Sequence, residues 1–300
     1  MGASLLSSKT AARRIRSVPR MKTGDFRSSQ ARDRYLAAYR GAWEACPEPD
    51  AEMDVPTAYG TTRVYRFGST GAPLVLLPGL SATAAGWGEG LKRYLGDRTV
   101  YAVDTLGEAG LSVQTAPIRD ARDRGRWLGE VVAGLGVGRA HLVGASTGGW
   151  HVCAAAIHAP ERVASASLVD PTAVSVGFSF GVVWRGAVAM LVRHDRAWAW
   201  FLRWAGGLDV DRPDVRLVLA GVREFRAHLP PQVPFGADLR RVTAPTFAVF
   251  GGRSVVHDGA EAARRLRAAL PHAEVELWPG ADHRLDAAER VLEFVRRCGA

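Results

Sequence analysis

The sequence predicts an α/β protein with a mostly parallel central sheet and helices on both of its faces. First, short apolar runs alternate with helical stretches along most of the chain, an order that is typical of parallel sheets. Second, these runs are apolar throughout, as in strands that are buried on both faces; they are "APLVLLPG", "RTVYAVD", "AHLVGAS" and "VASASLVD". Third, a length of 300 residues suits one large domain that carries an insertion.

The elements before the parallel part are predicted from residue spacing and turn residues. Residues 1–30 form a basic arm that is expected to be disordered, and ordered structure is expected from Ala31 onward. Tyr35, Tyr39 and Trp43 follow one another at intervals of four, so they line one face of a helix. The stretch "DVPTAYGTTRVYRFGSTG" then predicts two short antiparallel strands.

The α/β core is expected to occupy residues 31–171 and 241–300. A helix is predicted around Trp87 and Leu91, after the first parallel strand, and two more in "GRWLGEVVAGLG" and "TGGWHVCAAAIHAP". Near the end of the chain, the strands "APTFAVFGG" and "AEVELWPG" flank the helix "AEAARRLRAALP". The last helix is predicted to place four apolar residues on one face, namely Ala288, Val291, Leu292 and Val295.

The alternation stops over residues 172–240, which lie between two strands of the predicted sheet. This segment holds four of the nine tryptophans of the chain. It could be a small helical subdomain with apolar packing of its own. It could also be a lid whose aromatic inner face lines a pocket for an apolar ligand. Residues 172–240 are therefore predicted to form a helical lid insertion.

The composition excludes several classes of protein. Three cysteines (Cys46, Cys153, Cys298) cannot form a disulfide framework and have no zinc-ligand spacing, which favours a reducing, cytoplasmic setting. No apolar run reaches the roughly 18 residues that a membrane span needs.

Residues 1–30 contain seven basic residues and one acidic residue, so they hold six of the nine net positive charges. Nucleic acid is therefore not an expected partner of the core. The arm lacks the apolar stretch of a secretory signal, and Met21 is an alternative start.

The motif "GASTGG" points to a serine nucleophile. Ser146 stands at the centre of a G-x-S-x-G sequence, between a buried strand and a helix. In that context the chain makes a sharp, strained turn that exposes the serine hydroxyl above the sheet. The positive end of the following helix dipole lies next to the same hydroxyl. Ser146 is therefore the predicted nucleophile.

A serine of this kind needs a base, and His283 is the best placed of the eight histidines. It lies in "WPGADHRL", in the loop after the last strand, where side chains reach the carboxyl edge of the sheet. Its place after the serine also agrees with the Ser…acid…His order. The other seven are predicted to be structural, or to lie in the inserted segment or at the surface: His141, His151, His158, His194, His228, His257 and His272.

The tetrahedral intermediate of acyl transfer needs an oxyanion hole of fixed N–H donors. The amide of Thr147 is one candidate, because it follows the nucleophile directly. The second is expected from the loop after the first long strand, "LLPGLSAT", where the Leu80 amide is our choice. Pro78 and Gly79 also make a tight turn there, which is compatible with this role.

These motifs resemble the α/β-hydrolases from about residue 30 to the C-terminus. Within that superfamily the chain is most similar to bacterial carboxylesterases of the naproxen-esterase type. The resemblance implies an α/β-hydrolase fold with an inserted helical lid. It is carried by "TAYGTTRVYRFG", "PLVLLPGLSATAAGW", "YAVDTLGEAGLS", "WLGEVVAGLGVGRAHLVGASTGGW" and "PERVASASLVDP". Two positions depart from the family pattern: Pro78 replaces the histidine that is usual before Gly79, and Ser254 replaces the acid that is usual after "FGG".

Because Ser254 cannot act as the acid, another residue has to orient the histidine and stabilise its charged form. Asp170 is the first choice, since it ends a strand at the carboxyl edge of the sheet, and some α/β-hydrolases are similar in taking their acid from this strand. Asp258 is the second choice, although it could instead cap a helix. Asp282 adjoins His283 but should point away from it, and Asp104 is expected to brace the "TLGEAG" loop. A further alternative is that no carboxylate is present.

The sequence thus predicts a serine hydrolase that cleaves small esters with an apolar acyl or alcohol part, or thioesters or lactones. It requires no cofactor and no metal. Two alternatives remain within the fold: a cofactor-free perhydrolase or acyltransferase, and a ligand-binding protein with impaired catalysis. The oligomeric state does not follow from the sequence.

Overall fold

The computed structural model describes residues 23–192, 194–206 and 209–299. Its strands confirm the predicted α/β class, because most neighbours in the central sheet pair in parallel. The strands of the described residues are β1 (Asp25–Phe26), β2 (Ala51–Thr57), β3 (Gly60–Phe67), β4 (Leu74–Leu77), β5 (Val100–Val103), β6 (Val113–Gln114), β7 (Ala140–Ala145), β8 (Val163–Val169), β9 (Phe225–Arg226), β10 (Thr246–Gly251) and β11 (Glu274–Trp278).

The central sheet has nine strands in the order β11-β10-β8-β7-β4-β5-β3-β2, with β6 paired to β3. The strands from β5 to β11 in this order run parallel, and β2, β3 and β6 add antiparallel pairs at one side. The parallel strands therefore present their carboxyl ends at one edge, where β7, β8 and β10 lie side by side.

Helices cover both faces of this sheet. The α-helices of the described residues are α1 (Ser29–Trp43), α2 (Ala121–Gly134), α3 (Thr147–His158), α4 (Phe180–Val192), α5 (Asp195–Gly206), α6 (Pro213–Glu224), α7 (Gly259–Ala269) and α8 (Ala288–Arg297). One buried apolar cluster joins the sheet to α2, α3 and α7. A second cluster joins the opposite face to α1, α6, α8 and residues 84–94. Helices on both faces explain why the central strands are apolar throughout.

Three local predictions need correction. Within the described residues, regular structure is present from β1, before the expected start at Ala31, because β1 pairs with β9 and Ser28 caps α1. The predicted helix around Trp87 is a 3₁₀ segment, Ala84–Tyr94, broken at Gly88 with φ 49°. In α8, Phe294 is buried and Leu292 only partly so. The remainder of the predicted basic arm, residues 1–22, lies outside the described residues.

The described part of the inserted segment, residues 172–240, contains three α-helices, which pack in different ways. α6 packs on α1, and its Glu224 binds Arg34 at 2.7 Å, so this helix belongs to the core. α4 and α5 pack on each other through a cluster in which the Arg185 guanidinium lies 4.3 Å from the Trp184 ring and 4.1 Å from the Trp204 ring. Only α4 and α5 thus form a unit with packing of its own. No helix among the described residues is both long and apolar enough to cross a bilayer.

Candidate active site

The turn at Ser146 has the strained geometry that its motif predicts. Ser146 has φ 53° and ψ −118°, between the end of β7 and the first residue of α3. Residues other than glycine rarely adopt positive φ, and such strain is characteristic of functional sites. The flanking glycines are required by contact, since a Cβ at Gly144 would strike the backbone of Gly148, and a Cβ at Gly148 would strike the Leu77 carbonyl. Glycine at positions 144 and 148 therefore allows the chain to pass itself this closely at the turn.

The structure brings Ser146, His283 and Asp170 into one hydrogen-bonded row. The His283 Nε2 atom lies 2.9 Å from the Ser146 hydroxyl oxygen. The His283 Nδ1 atom lies 2.5 Å from Oδ2 of Asp170. These are the contacts by which a base takes a proton from a nucleophile while a carboxylate holds the base.

Asp170 follows β8 directly and is completely buried. Its Oδ1 atom accepts the Gly251 amide at 2.8 Å, and its Oδ2 atom accepts the Ser254 hydroxyl at 2.9 Å. Burial on its own would raise the pKa of Asp170. The His257 and His283 rings next to the carboxylate outweigh burial and hold the pKa of Asp170 below its usual range. Asp170 is therefore a carboxylate that stays ionised next to His283.

The other residues considered for the acid are bound elsewhere. Asp258 caps α7, where its side chain accepts the Glu261 amide at 3.0 Å. Asp282 accepts the Arg284 amide at 2.8 Å. Asp104 holds the backbone amides of Ala84 and Leu111 and the hydroxyl of Tyr39. The Ser254 hydroxyl donates to Asp170, which follows the neighbouring strand β8.

His257 is not the surface or lid residue that the sequence indicates. Its side chain is 1% exposed, and its Nε2 atom lies 3.3 Å from Oδ1 of Asp170. It lies three residues after Ser254 and just before α7, in a loop. In a loop, no repeat of apolar residues indicates which side chains are buried. The sequence carries only one signal for it, namely a histidine at the carboxyl edge of the sheet.

The two predicted oxyanion donors, the Leu80 and Thr147 amides, belong to residues near Ser146 in the structure. The loop after β4 passes over the turn, since a Cβ at Gly79 would stand 3.6 Å from the Ser146 Cβ. In the described part of the chain, the Leu80 amide donates to no acceptor. The Thr147 amide is the first of α3, and the first amides of a helix have no partner within it. Within the described residues, neither N–H group is thus engaged by a protein acceptor.

Glu108 supports this loop, and the sequence does not single it out. Its buried carboxylate accepts the Ser81 amide at 2.6 Å, next to Leu80, and Ser81 has φ 54°. His151 lies 3.5 Å from the same carboxylate. Burial and the nearby Arg124 charge lower the pKa of His151 to about 4, so the ring is neutral near pH 7. His151 therefore has the structural place that the sequence predicts.

A cleft of about 590 Å³ lies near Ser146, His283 and Asp170, although none of the three lines it. Its wall includes Ala145 and Val169, which precede Ser146 and Asp170, and Leu285, which follows His283 by two residues. Trp87 and Tyr94 from the 3₁₀ segment add aromatic surface. A larger cavity between α5 and α6, of about 780 Å³, is lined neither by Ser146, His283 or Asp170 nor by their neighbours in the chain. Within the described residues, no group of three or more His, Cys, Asp or Glu side chains has an arrangement that could hold a metal ion.

Comparisons with known proteins agree with this geometry. A family model described as "Alpha/beta hydrolase family" matches residues 74–296. Carboxylesterase YbfK of Bacillus subtilis (strain 168) is 27% identical over 283 residues, which cover 89% of this chain and 94% of that protein. The crystal structure of carboxylesterase CesB (YbfK) from Bacillus subtilis matches with a TM-score of 0.81 at 26% identity, covering 90% of this chain and 99% of that one. The crystal structure of naproxen esterase (carboxylesterase NP) from the same organism matches with a TM-score of 0.80 at 26% identity, covering 90% and 98%.

Proposed function

This chain belongs to the alpha/beta hydrolase family, and on that premise we propose that it hydrolyses carboxylic esters through an acyl-enzyme formed on Ser146. The observation that carries the proposal is the continuous row from the Ser146 hydroxyl through His283 to the buried Asp170 carboxylate. The carboxylesterases to which the chain is similar along most of its length support the same reaction class.

In the first half of the reaction, the Ser146 oxygen attacks the acyl carbon of the ester while His283 Nε2 takes the hydroxyl proton. The negative charge that develops on the carbonyl oxygen is held by the Leu80 and Thr147 amides. When the intermediate collapses, the bond to the alcohol breaks, and His283 returns its proton to the leaving oxygen. Asp170 keeps Nδ1 protonated throughout, so that Nε2 is free to act as the base.

In the second half, a water molecule attacks the acyl carbon with His283 again as the base. The bond to Ser146 breaks, the serine recovers its proton, and the carboxylic acid leaves. No external electron acceptor or cofactor is needed, because both steps are substitutions at one carbon. Thioesters and lactones carry the same reacting carbonyl, so they are further substrate classes to compare.

The cleft near the triad favours substrates of small to medium size with an apolar acyl or alcohol part. Its aromatic residues, Trp87 and Tyr94, offer apolar surface. Most of the charged residues on its wall are paired, as in Arg212 with Asp214 at 3.0 Å and Arg93 with Asp286. A charged ester would compete with these pairs, whereas an apolar ester would not.

The test is hydrolysis of p-nitrophenyl acetate, butyrate and octanoate, together with labelling by a serine-directed fluorophosphonate. We expect turnover of at least the shorter esters, and a single covalent label that peptide mapping assigns to Ser146. A folded protein that is neither labelled nor active would contradict the proposal and favour the ligand-binding alternative. Labelling with acyl transfer to an added alcohol or peroxide, but no hydrolysis, would instead favour the acyltransferase or perhydrolase alternative.

Replacing Glu108 with Ala should lower kcat for these esters roughly tenfold with little change in KM. The substitution removes a charged hydrogen bond, which contributes about 1.5–3 kcal/mol, from the segment that presents the Leu80 amide. That amide acts mainly in the transition state, so kcat should carry the loss. Glu161→Ala, at an exposed carboxylate in the turn after α3, is the matched control. Steady-state kinetics decide, and a change in KM alone would contradict a role in holding the oxyanion donor.

A further inference from the structure

We propose that His257 is a positioning residue of the triad, whose Nε2–H group donates to Oδ1 of Asp170 and so fixes the carboxylate that orients His283. The inference rests on the proposed function of the same triad. It goes beyond that function because it gives a role to a second histidine that does not touch the nucleophile.

The first observation that supports this role is the burial of the His257 side chain. Its side chain is 1% exposed, and neither ring nitrogen has a well-aligned hydrogen-bond partner among the described residues. A buried polar group without a partner is costly. The Asp170 Oδ1 atom, 3.3 Å from Nε2, is a charged acceptor that the geometry offers. Catalytic hydrogen bonds are often long in a free enzyme and tighten when substrate is bound.

The second observation is the distribution of donor groups around the two oxygens of Asp170. Oδ2 faces the Ser254 hydroxyl and His283, while Oδ1 faces the Gly251 amide and His257. The carboxylate is therefore held at both oxygens and cannot turn away from His283. Three of these four donors come from residues 251–257, the segment that follows β10. In the α/β-hydrolase pattern this segment supplies the acid, whereas here it supplies donors to an acid from the adjacent strand.

The third observation is that residues 251–257 are bound to other parts of the molecule. Ser179, just before α4, donates its amide to the Val256 carbonyl at 2.8 Å and its hydroxyl to the Val255 carbonyl at 2.6 Å. The His257 ring packs edge-on against Phe250 of β10, with ring centroids 5.9 Å apart. His257 is thus fixed from two sides, as a group that positions another must be.

The charged neighbours of this cluster are engaged elsewhere. Asp258, next to His257, caps α7, and Asp282, next to His283, accepts the Arg284 amide. Arg284 lies 3.9 Å from Asp214. The His283 ring faces Asp170, and it lies edge-on to His257 with centroids 6.3 Å apart. Asp170 and His257 are therefore the groups whose change should be felt at His283.

The expected direction follows from the charge on Asp170. A donor at Oδ1 stabilises the carboxylate and weakens its hold on a protonated His283 ring. Without that donor, the carboxylate attracts the charged ring more strongly. The midpoint of the His283 ring titration should therefore move to higher pH, and the acid limb of kcat/KM should move with it.

The experiment compares wild type with His257→Phe, which keeps an aromatic ring but has no donor, and with His257→Gln, which keeps a donor. We expect His257→Phe to shift the His283 midpoint, followed by ¹⁵N NMR of the ring, upward by roughly half a pH unit. We also expect it to lower kcat roughly tenfold. His257→Gln should return both values most of the way to wild type. Ser254→Ala removes a donor from Oδ2 and should shift the midpoint in the same direction, which serves if His257→Phe does not fold.

His141→Phe is the matched control, because His141 is also buried but lies at the start of β7 against Ser165. It should lower the melting temperature without moving the His283 midpoint. An unchanged or lowered midpoint in both His257→Phe and Ser254→Ala would overturn the inference and leave His257 with a packing role. The NMR titration needs no substrate, so a wild type that hydrolyses no ester would contradict the proposed function without deciding the place of His257.

Discussion

Replacing Asp170 with Asn should lower kcat for a short p-nitrophenyl ester by about 10⁴ while the protein stays folded. The amide group of asparagine can donate to His283 Nδ1 and so hold the ring in the tautomer that cannot act as the base. It also removes the charge that stabilises the protonated ring. Asp170 has φ 40°, and asparagine is among the few residues that adopt positive φ readily, so the backbone should not be strained further.

Asp258→Asn is the matched control for this substitution. It makes the same chemical change at the second candidate for the acid, and asparagine caps a helix as well as aspartate does. Its kcat should stay within about twofold of wild type, since the Asp258 side chain binds the Glu261 amide. If Asp170→Asn retained activity within tenfold while Asp258→Asn lost it, the triad drawn here would be wrong.

Asp170 should also leave a signature in stability against pH. Its pKa in the folded state lies below its usual value, which is about 3.9 in unfolded chains. A depressed carboxyl pKa contributes stability that is fully present above the unfolded value and is lost as pH falls toward the folded value. Urea unfolding should therefore find wild type more stable than Asp170→Asn at pH 7, with a smaller difference at pH 3.

Ser146 and His283 could be placed at the carboxyl edge of the sheet from the sequence, because short stretches of chain fix their positions. A serine between a buried strand and a helix has to stand at the turn, and a histidine after the last strand has to reach the same edge. The acid could not be chosen in this way. β8 and β10 are adjacent parallel strands, with Val169 opposite Val249, so the ends of both lie beside His283. The alignment of β8 against β10 decides which of the two strand ends places a carboxylate next to His283, and a single sequence does not show this alignment.

His257 and Glu108 could not be found from the sequence for a different reason. Each lies in a loop, where neither the helical nor the strand period applies, and each acts on a residue distant in the chain. His257 faces Asp170 and Glu108 holds the Ser81 amide. A polar residue in a loop is usually exposed, so composition favours the wrong environment for both. Their burial comes from the tertiary packing of the sheet edge, which a single sequence does not contain.

Ser146→Gly and Ser146→Ala should both abolish ester turnover, with kcat lower by about 10⁶, yet they should differ in stability. Residues with a side chain are strained by about 1–3 kcal/mol at unusual backbone angles, and Ser146 stands at φ 53° and ψ −118°. Alanine keeps that strain, whereas glycine releases it. Glycine also loses more chain entropy on folding, by roughly 0.5–1 kcal/mol.

The release of strain should exceed the entropy loss, so Ser146→Gly should be more stable than Ser146→Ala by roughly 1 kcal/mol in urea unfolding. The same pair of substitutions at Ser29, an exposed residue in the first turn of α1, should give the opposite order, because alanine favours a helix and glycine does not. If alanine were the more stable variant at both sites, the turn would not be strained. Packing alone would then hold the Ser146 hydroxyl in its exposed position. If glycine were the more stable variant at residue 146, the strained turn would lower the stability of the wild type in order to position this hydroxyl.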